Sequence, residues 1–379
     1  MNHPLCCLKS HLIQQEQRLV RILELVQKNW VYQTHIKLKT VLVSGAGGTI
    51  GSQLCREIIK NNPDKILLLD SNEYALYSIL NELEDLNKDT SIEIIPILAS
   101  VQDPKIINNI FKKWNPYTVY HAAAYKHVPL VELSENILYS IQNNIFGTLN
   151  VMQSCIDSDV KSAILVSTDK AVRPTNIMGA TKRFAEQVTQ SLHGIHDNIK
   201  LSMVRFGNVI NSSGSVIPLF RKQISNGGPV TVTHKEVTRY FMTIPEASSL
   251  VIQAENFAKG GEVFLLDMGE QVKIYDLAKK LIHLSGNNIA EDDNTKGIQI
   301  LEIGLRPGEK LYEELLISGD EVKTEHPKIF KSIESFPSVE KINLYLDRLK
   351  ECVKNNDTIG AIEVLAETVE GFRYENDKF

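Results

Sequence analysis

Ser167-Thr168-Asp169-Lys170 places two hydroxyls, a carboxylate and an amine in consecutive residues. Met178 and Lys182 follow, one helical turn apart and therefore on one face of any helix they share. Side chains of these types can give and take protons around a bound molecule. The run before them, Ser162-Ala163-Ile164-Leu165-Val166, is short, apolar and bounded by charge, as a buried parallel strand is. Strand ends of open α/β sheets are where ligands meet chemistry. Alone, such a tetrapeptide is more often a helix N-cap than a catalytic set. Its meaning therefore rests on the elements that would hold it.

The first such element is Thr40-Val41-Leu42-Val43-Ser44, a strand that runs directly into Gly45-Ala46-Gly47-Gly48-Thr49-Ile50-Gly51 and then a helix through Lys60. Gly45 allows the tight turn, Gly48 lets backbone amides approach a pyrophosphate, and Gly51 lets the helix pack closely on its strand. The next strand, Lys65–Leu69, ends in Asp70, where the adenosine ribose hydroxyls of a dinucleotide are read. Asp70 repels a 2′-phosphate and no Arg follows in Ser71-Asn72-Glu73, so the expected cofactor is NAD and not NADP.

Alternation continues with a strand at 92–98, a helix from Asp103 to Trp114 and a strand at 118–121 ending in Ala122-Ala123-Ala124-Tyr125-Lys126-His127. A long helix is expected from Val131 to Asp157, another from Met178 to about Leu192, and a strand at Lys200–Arg205. The pattern predicts an α/β fold: a Rossmann-type, doubly wound parallel sheet of about six strands with a smaller α/β substrate-binding lobe. The expected division is residues 1–38 as an amphipathic helical segment, 39–206 as the NAD-binding domain, 207–335 as the lobe with excursions back to the sheet, and 336–379 as a helical tail. Arg306-Pro307-Gly308-Glu309-Lys310 should lead into an acidic helix. In the first segment Leu12, Leu19, Leu23, Val26 and Trp30 recur at helical spacing. That helix should dock on the body or on a partner chain, with peripheral membrane contact ranked second because its polar face is not strongly basic.

With 379 residues, 43% of them hydrophobic, the chain can bury one large core and a smaller one. A net charge of −5, spread along the sequence, carries no nucleic-acid footprint. The apolar runs are strand-length, so no transmembrane segment is expected, and the start lacks the pattern of a secretion signal. Five cysteines without paired-ligand spacing read as reduced thiols in the cytoplasm, with no metal site.

With these motifs assembled, the chain resembles the extended short-chain dehydrogenase/reductases, and more closely the bacterial UDP-N-acetylglucosamine 4,6-dehydratases of polysaccharide and glycan biosynthesis. The resemblance covers about 40 to 330 and is carried by the glycine turn, His121 to Pro129, Ser167 to Lys170, Asn176 to Lys182, Arg205 to Val209, Thr238 to Phe241 and Arg306 to Lys310. Many members carry membrane helices ahead of the catalytic core, where this chain has only its short amphipathic lead. The superfamily's proton-transfer pair is Tyr and Lys; this chain keeps Lys182 and has Met178 in the Tyr position. The Met-bearing branch is similar to enzymes that retain configuration at C5, giving a 4-keto-6-deoxy product on the way to bacillosamine-type sugars.

The resemblance implies that Asp169 protonates the departing C6 hydroxyl and Lys170 removes the C5 proton. Lys170 would share its pocket with Lys182 and a cationic nicotinamide, and burial with like charge would lower its pKa toward neutrality; Asp169 would hold a proton. Thr168 is the remaining hydroxyl near C4, with a plain hydrogen bond to the sugar as the equal alternative. Gly45, Gly47, Gly48, Thr49, Ile50, Gly51, Asp70, Ser100, Val101, Ala122, Ala123, Ala124, Asn144, Ser167 and Lys182 would hold NAD. Lys126, His127, Asn208, Ser215, Val216, Arg239, Arg306 and Glu309 would hold UDP-N-acetylglucosamine, with both arginines suited to the pyrophosphate. A homodimer or higher homo-oligomer is implied, built on the helices within 131–157 and 178–192. Two alternatives stay open: a UDP-sugar 4-epimerase, which needs no C5 base or C6 acid, and a non-catalytic nucleotide-binding regulator.

Overall fold

A computed structural model of the chain describes residues 35–88, 90–212, 214–290, 296–316 and 321–374. The amphipathic N-terminal helix falls outside the described residues. Nine strands form the main sheet: β1 (Thr40–Ser44), β2 (Lys65–Asp70), β3 (Glu93–Leu98), β4 (Thr118–His121), β5 (Ser162–Val166), β6 (Lys200–Arg205), β7 (Val263–Leu266), β8 (Val322–Lys323) and β9 (Ile329–Ser332), in the order β8-β9-β7-β6-β5-β4-β1-β2-β3. All neighbours from β7 to β3 pair in parallel. β9 pairs antiparallel with both β7 and β8. The strand order reverses between β1 and β4, which opens a crevice at their carboxyl ends. The sheet is thus larger than the expected six strands. The lobe sequence returns a seventh parallel strand and closes the edge with an antiparallel pair.

Strand residues alternate between two apolar layers, as the period of two requires. Leu42, Leu67, Val119, Leu165, Leu201 and Leu265 face one layer, and Val41, Val43, Leu68, Ile164, Val204 and Phe264 face the other. Because both faces are covered, these strands read as continuous apolar runs.

In chain order, α1 (Thr49–Ile59), α2 (Glu73–Leu86) and α3 (Pro104–Trp114) alternate with the strands. α3 starts at Pro104 with the Asp103 carboxylate accepting the Lys105 and Ile106 amides, a cap with Pro in the first turn. The long helix expected over 131–157 is divided into α4 (Ser134–Ile141), a π-turn at Gln142–Phe146 and α5 (Gly147–Asp157). α6 (Ile177–His193) is capped by Asn176, whose side chain accepts the Gly179 amide.

α7 (Val216–Ser225) begins the lobe, α8 (Ile244–Phe257) returns to pack beside α1, and α9 (Ile274–Leu284) goes back to the lobe. The lobe has its own apolar cluster around Phe220, Val232, Val237, Ile274 and Ile282. No helix follows directly on Lys310 among the described residues; residues 311–316 are bend and irregular chain, and Leu311 C=O is taken by Thr238 N–H and Arg239 Nη1.

α10 (Val339–Asn355) and α11 (Thr358–Thr368) are no loose tail. Leu346, Leu349, Leu365 and Val369 join the sheet's core cluster and cover α6, in which every residue from Ile177 to Leu192 is buried. The outer face of α6, expected at a dimer interface, is therefore occupied by the chain itself. No helix among the described residues is long and apolar enough to cross a membrane.

Candidate active site

At the carboxyl end of β5 the backbone enters a single 3-10 turn, Asp169–Ala171, whose cap is Thr168. Thr168 Oγ1 accepts the Lys170 amide at 3.4 Å and donates to Asp169 Oδ1 at 2.9 Å. The tetrapeptide is thus a cap as well as a cluster of reactive groups. Lys170 Nζ donates to Asp169 Oδ1 at 3.0 Å and to Asn208 Oδ1 at 3.3 Å. The side chain of Asp169 is 1% exposed and that of Lys170 22%. Asp169 Oδ2 is buried without a hydrogen-bond partner among the described residues.

A second carboxylate reaches the same lysine: Glu313 Oε1 lies 3.6 Å from Lys170 Nζ. Burial alone would push the Lys170 pKa down, but the attraction of Asp169 and Glu313 outweighs it and the pKa rises above the usual lysine value. This corrects the expectation that Lys170 falls toward neutrality. The depressed lysine is Lys182, which burial pulls down to about 8 against the opposing pull of Glu186. Its Nζ donates to Val166 O at 2.8 Å.

Gly179 sets the spacing between α6 and the reactive turn. A Cβ there would lie 2.2 Å from Lys170 O, so only glycine lets the helix press on that carbonyl. One residue earlier, Met178 is 3% exposed and belongs to the core cluster while also lining the cavity.

A cavity of about 940 Å³ opens over these groups. Gly45, Gly48, Thr49, Ile50, Gly51, Ala122, Ala124, Ser167 and Lys182 line it, as do Thr168, Lys170 and Met178. From the other expected set, Lys126, His127, Asn208, Ser215, Val216, Arg239, Arg306 and Glu309 line the same cavity. The glycine turn fits a closely held ligand: Gly45 has φ +68°, and a Cβ on Gly51 would fall 1.9 Å from Gly45 O.

Seven of the expected residues are not on the wall. Gly47 N–H donates to Asp70 Oδ2 at 2.8 Å, so Asp70 braces the glycine turn from the end of β2. Ala123 packs its backbone against Gly45, and Val101 packs against Gly147. Ser100 Oγ accepts the Gln102 amide. Asp169 sits beneath Lys170. Asn144, expected to touch the cofactor, is 1% exposed and spends its amide on protein. It accepts Tyr125 N–H at 2.8 Å and donates to Tyr125 O and to Thr181 Oγ1, both at 3.0 Å. It therefore positions the loop that carries Lys126 and His127. The π-turn aims it there, a common use of such bulges.

On the lobe side, Arg239 is held by Glu309 at 3.1 Å. Glu309 also accepts from Thr233 Oγ1 and from the Arg306 amide. Glu309, expected among the residues that hold the nucleotide sugar, is thus the partner of Arg239. Gly308 O accepts from Thr175 Oγ1 and Asn176 Nδ2, which latches the lobe to the start of α6.

Two features escaped the sequence reading. Glu313 was one of an acidic pair with Glu314, and nothing local tells the buried member from the exposed one. The other is a buried ion cluster: Arg205 pairs with Glu186 at 2.6 Å and Glu334 at 2.7 Å, Arg183 reaches both carboxylates, and Ser167 Oγ donates to Glu186 at 2.6 Å. A buried Arg at the end of a strand was the available signal.

A parallel sheet reversing between β1 and β4, a glycine turn at its crevice and a lysine one turn into α6 define an extended short-chain dehydrogenase/reductase. Residues 41–334 match the family described as polysaccharide biosynthesis protein, and the chain belongs to that family. It is 56% identical over 280 residues to the capsular polysaccharide biosynthesis protein CapD of Staphylococcus aureus, covering 73% of this chain and 45% of that protein. Against the UDP-N-acetylglucosamine 4,6-dehydratase (inverting) of Campylobacter jejuni serotype O:2 it is 29% identical over 345 residues, covering 89% and 92%. The X-ray structure of Pen from Bacillus thuringiensis superposes with a TM-score of 0.69 at 32% identity, covering 82% of this chain and 98% of that one. The chain spans about half the length of the first curated relatives it matches. Its relatives include nucleotide-sugar dehydratases and epimerases.

Proposed function

We propose that this chain catalyses the NAD-dependent 4,6-dehydration of UDP-N-acetylglucosamine to UDP-2-acetamido-2,6-dideoxy-hexos-4-ulose. The C5 configuration is retained (the α-D-xylo product), and the product serves deoxy amino sugar and surface polysaccharide synthesis. The observation that carries the reading is the Asp169–Lys170 pair, 3.0 Å apart at the cavity that the glycine turn and Lys182 share. A 4-epimerase needs neither group of that pair. Residues 39–206 are assigned to NAD, 207–335 to the nucleotide sugar and 336–379 to support of α6. Free Cys55, Cys155 and Cys352 accord with a reducing, cytoplasmic setting. Any self-association uses a face other than the covered one of α6.

NAD would be held by the glycine turn, Ser167 and Lys182, with Asp70 excluding a 2′-phosphate. Bound there, it supplies a reversible hydride acceptor. The chain's own groups handle the protons. Lys170 starts as an ammonium on Asp169; passing that proton to the carboxylate yields an amine and a carboxylic acid together. The amine then takes the C5 proton and the acid protonates the departing C6 hydroxyl. Thr168 and Lys182 are assigned to the C4 hydroxyl, and Arg239 and Arg306 to the diphosphate.

The test is incubation with UDP-N-acetylglucosamine in deuterated water, followed by mass and NMR. Loss of one water with a deuteron at C5 and retained configuration is expected. A galacto product of unchanged mass would replace the reading with epimerase, inverted C5 would move the chain to the other stereochemical branch, and unaltered substrate would favour a binding module.

A further inference from the structure

We propose that Glu313 is a positioning residue of the reactive centre, a second carboxylate that holds Lys170 as an ammonium and keeps its proton inside the site. Glu313 comes from the extended segment after Gly308, far from Lys170 in sequence, and its side chain is only 4% exposed. A carboxylate buried to that degree is costly unless cations compensate it. Among the described residues the cations that face it are Lys170 Nζ at 3.6 Å and Arg239 Nε at 3.9 Å. Glu313 Oε2 has no hydrogen-bond partner among the described residues, although Glu313 lines the cavity. Arg239 is already engaged by Glu309, so Lys170 is the cation for which Glu313 competes with Asp169.

The groups that face Lys170 are Asp169 from its own turn, Asn208 from the segment after β6, Glu313 and Arg239 from the lobe, and Lys126 from the loop after β4. The two carboxylates prevail over burial and over Arg239, which is why the lysine holds its proton more firmly than in water. The consequence rests on the dehydratase reading. With Glu313 opposing release to solvent, the amine forms by breaking an N–H bond of Lys170 and making an O–H bond on Asp169. One proton then serves as both the base's vacancy and the acid's supply.

The experiment is trace acetylation of the full chain with acetic anhydride across pH, with the Lys170 peptide quantified by mass spectrometry, alongside the pH–rate profile for water loss. In Glu313→Gln the labelling midpoint of Lys170 is expected about one unit lower, roughly tenfold more amine at a given pH. Glu314→Gln, at an exposed residue paired with Arg173, should leave the midpoint unmoved. Where the Gln variant fails to fold, Glu313→Asp takes its place, with a smaller shift in the same direction. An unmoved midpoint in a folded Glu313 variant overturns the proposal. A shifted midpoint without water loss in any of the proteins sinks the dehydratase reading and leaves the assignment of Glu313 standing.

Discussion

Met178 decides whether this centre has been rebuilt or lost. It occupies the second position of α6, is 3% exposed, and packs into the core while its side chain reaches the cavity. A tyrosine placed there must displace a flexible thioether in a filled site, where overpacking costs about 1–3 kcal/mol. Met178→Tyr is therefore expected to lower the unfolding midpoint and to give little or no gain in turnover on UDP-N-acetylglucosamine. A decayed enzyme behaves in the opposite way: an inert wild type that the phenol rescues by about 10²–10⁴-fold. Steady-state kinetics of the two proteins separate these outcomes. The same scale shows the limit of the sequence. Residues 167–170, Met178 and Lys182 were legible because they are close along the chain and sit at a strand end and one helical turn. Which lysine is depressed was not, because burial opposes both ammonium groups and the second carboxylate that joins Asp169 in outweighing it at Lys170 arrives from residue 313, whereas Lys182 has only Glu186 against burial.

At the level of elements, the centre depends on how closely α6 approaches the turn after β5. Gly179→Ala forces a Cβ toward Lys170 O, where it would stand at 2.2 Å from a backbone atom that cannot yield cheaply. The expected result is about 1–3 kcal/mol of destabilisation and a fall in kcat of about 10²-fold, as for other ångström-scale misplacements of reacting groups. Gly194→Ala, at the other end of the same helix, is the contrast. Its φ is −60° and its nearest would-be contact is 3.5 Å, so it should be neutral or stabilising by about 0.4–1 kcal/mol. Urea unfolding and kcat of both variants check the pair, and equal effects would detach the approach of α6 from catalysis. Strands β1 to β6 were legible from apolar runs bounded by charge and turn residues. The interruption of the helix over 131–157 was not, since the π-turn exists to aim Asn144 at Tyr125, a tertiary partner. The helix expected directly after Lys310 is absent for the same kind of reason, the Leu311 carbonyl being claimed by Thr238 and Arg239. Strand β7 spans only Val263–Leu266, too short a run to tell from a buried helix segment by periodicity.

Across the whole molecule, the sheet's antiparallel extension and the cavity at the carboxyl ends of its parallel strands are tied by charge. Glu334, just past β9, pairs with Arg205 of β6 and Arg183 of α6, and both arginines share Glu186, which accepts the Ser167 hydroxyl beside the cavity. α10 and α11 then cover α6 from outside, so the cluster is sealed. Although burial opposes its ionisation most, Arg205 leads the attractions that hold the Glu186 pKa at about 2. The unfolded carboxylate titrates near about 4.3. Because the folded value is the lower one, the stabilisation is fully present above the unfolded pKa and drains away as pH falls from about 4 toward 2. At about 1.4 kcal/mol per unit it amounts to about 3 kcal/mol. The wild-type chain should therefore lose urea resistance steeply over that acid window. Glu186→Gln should cost about 3–5 kcal/mol at neutral pH, because two buried arginines are left with one carboxylate between them. It should also flatten the acid-side slope, since its titrating group is gone. Urea midpoints measured from pH 7 down to pH 2 test both parts together. A Gln variant that is weakened at neutral pH yet keeps the wild-type acid slope would mean that other carboxylates carry the acid sensitivity.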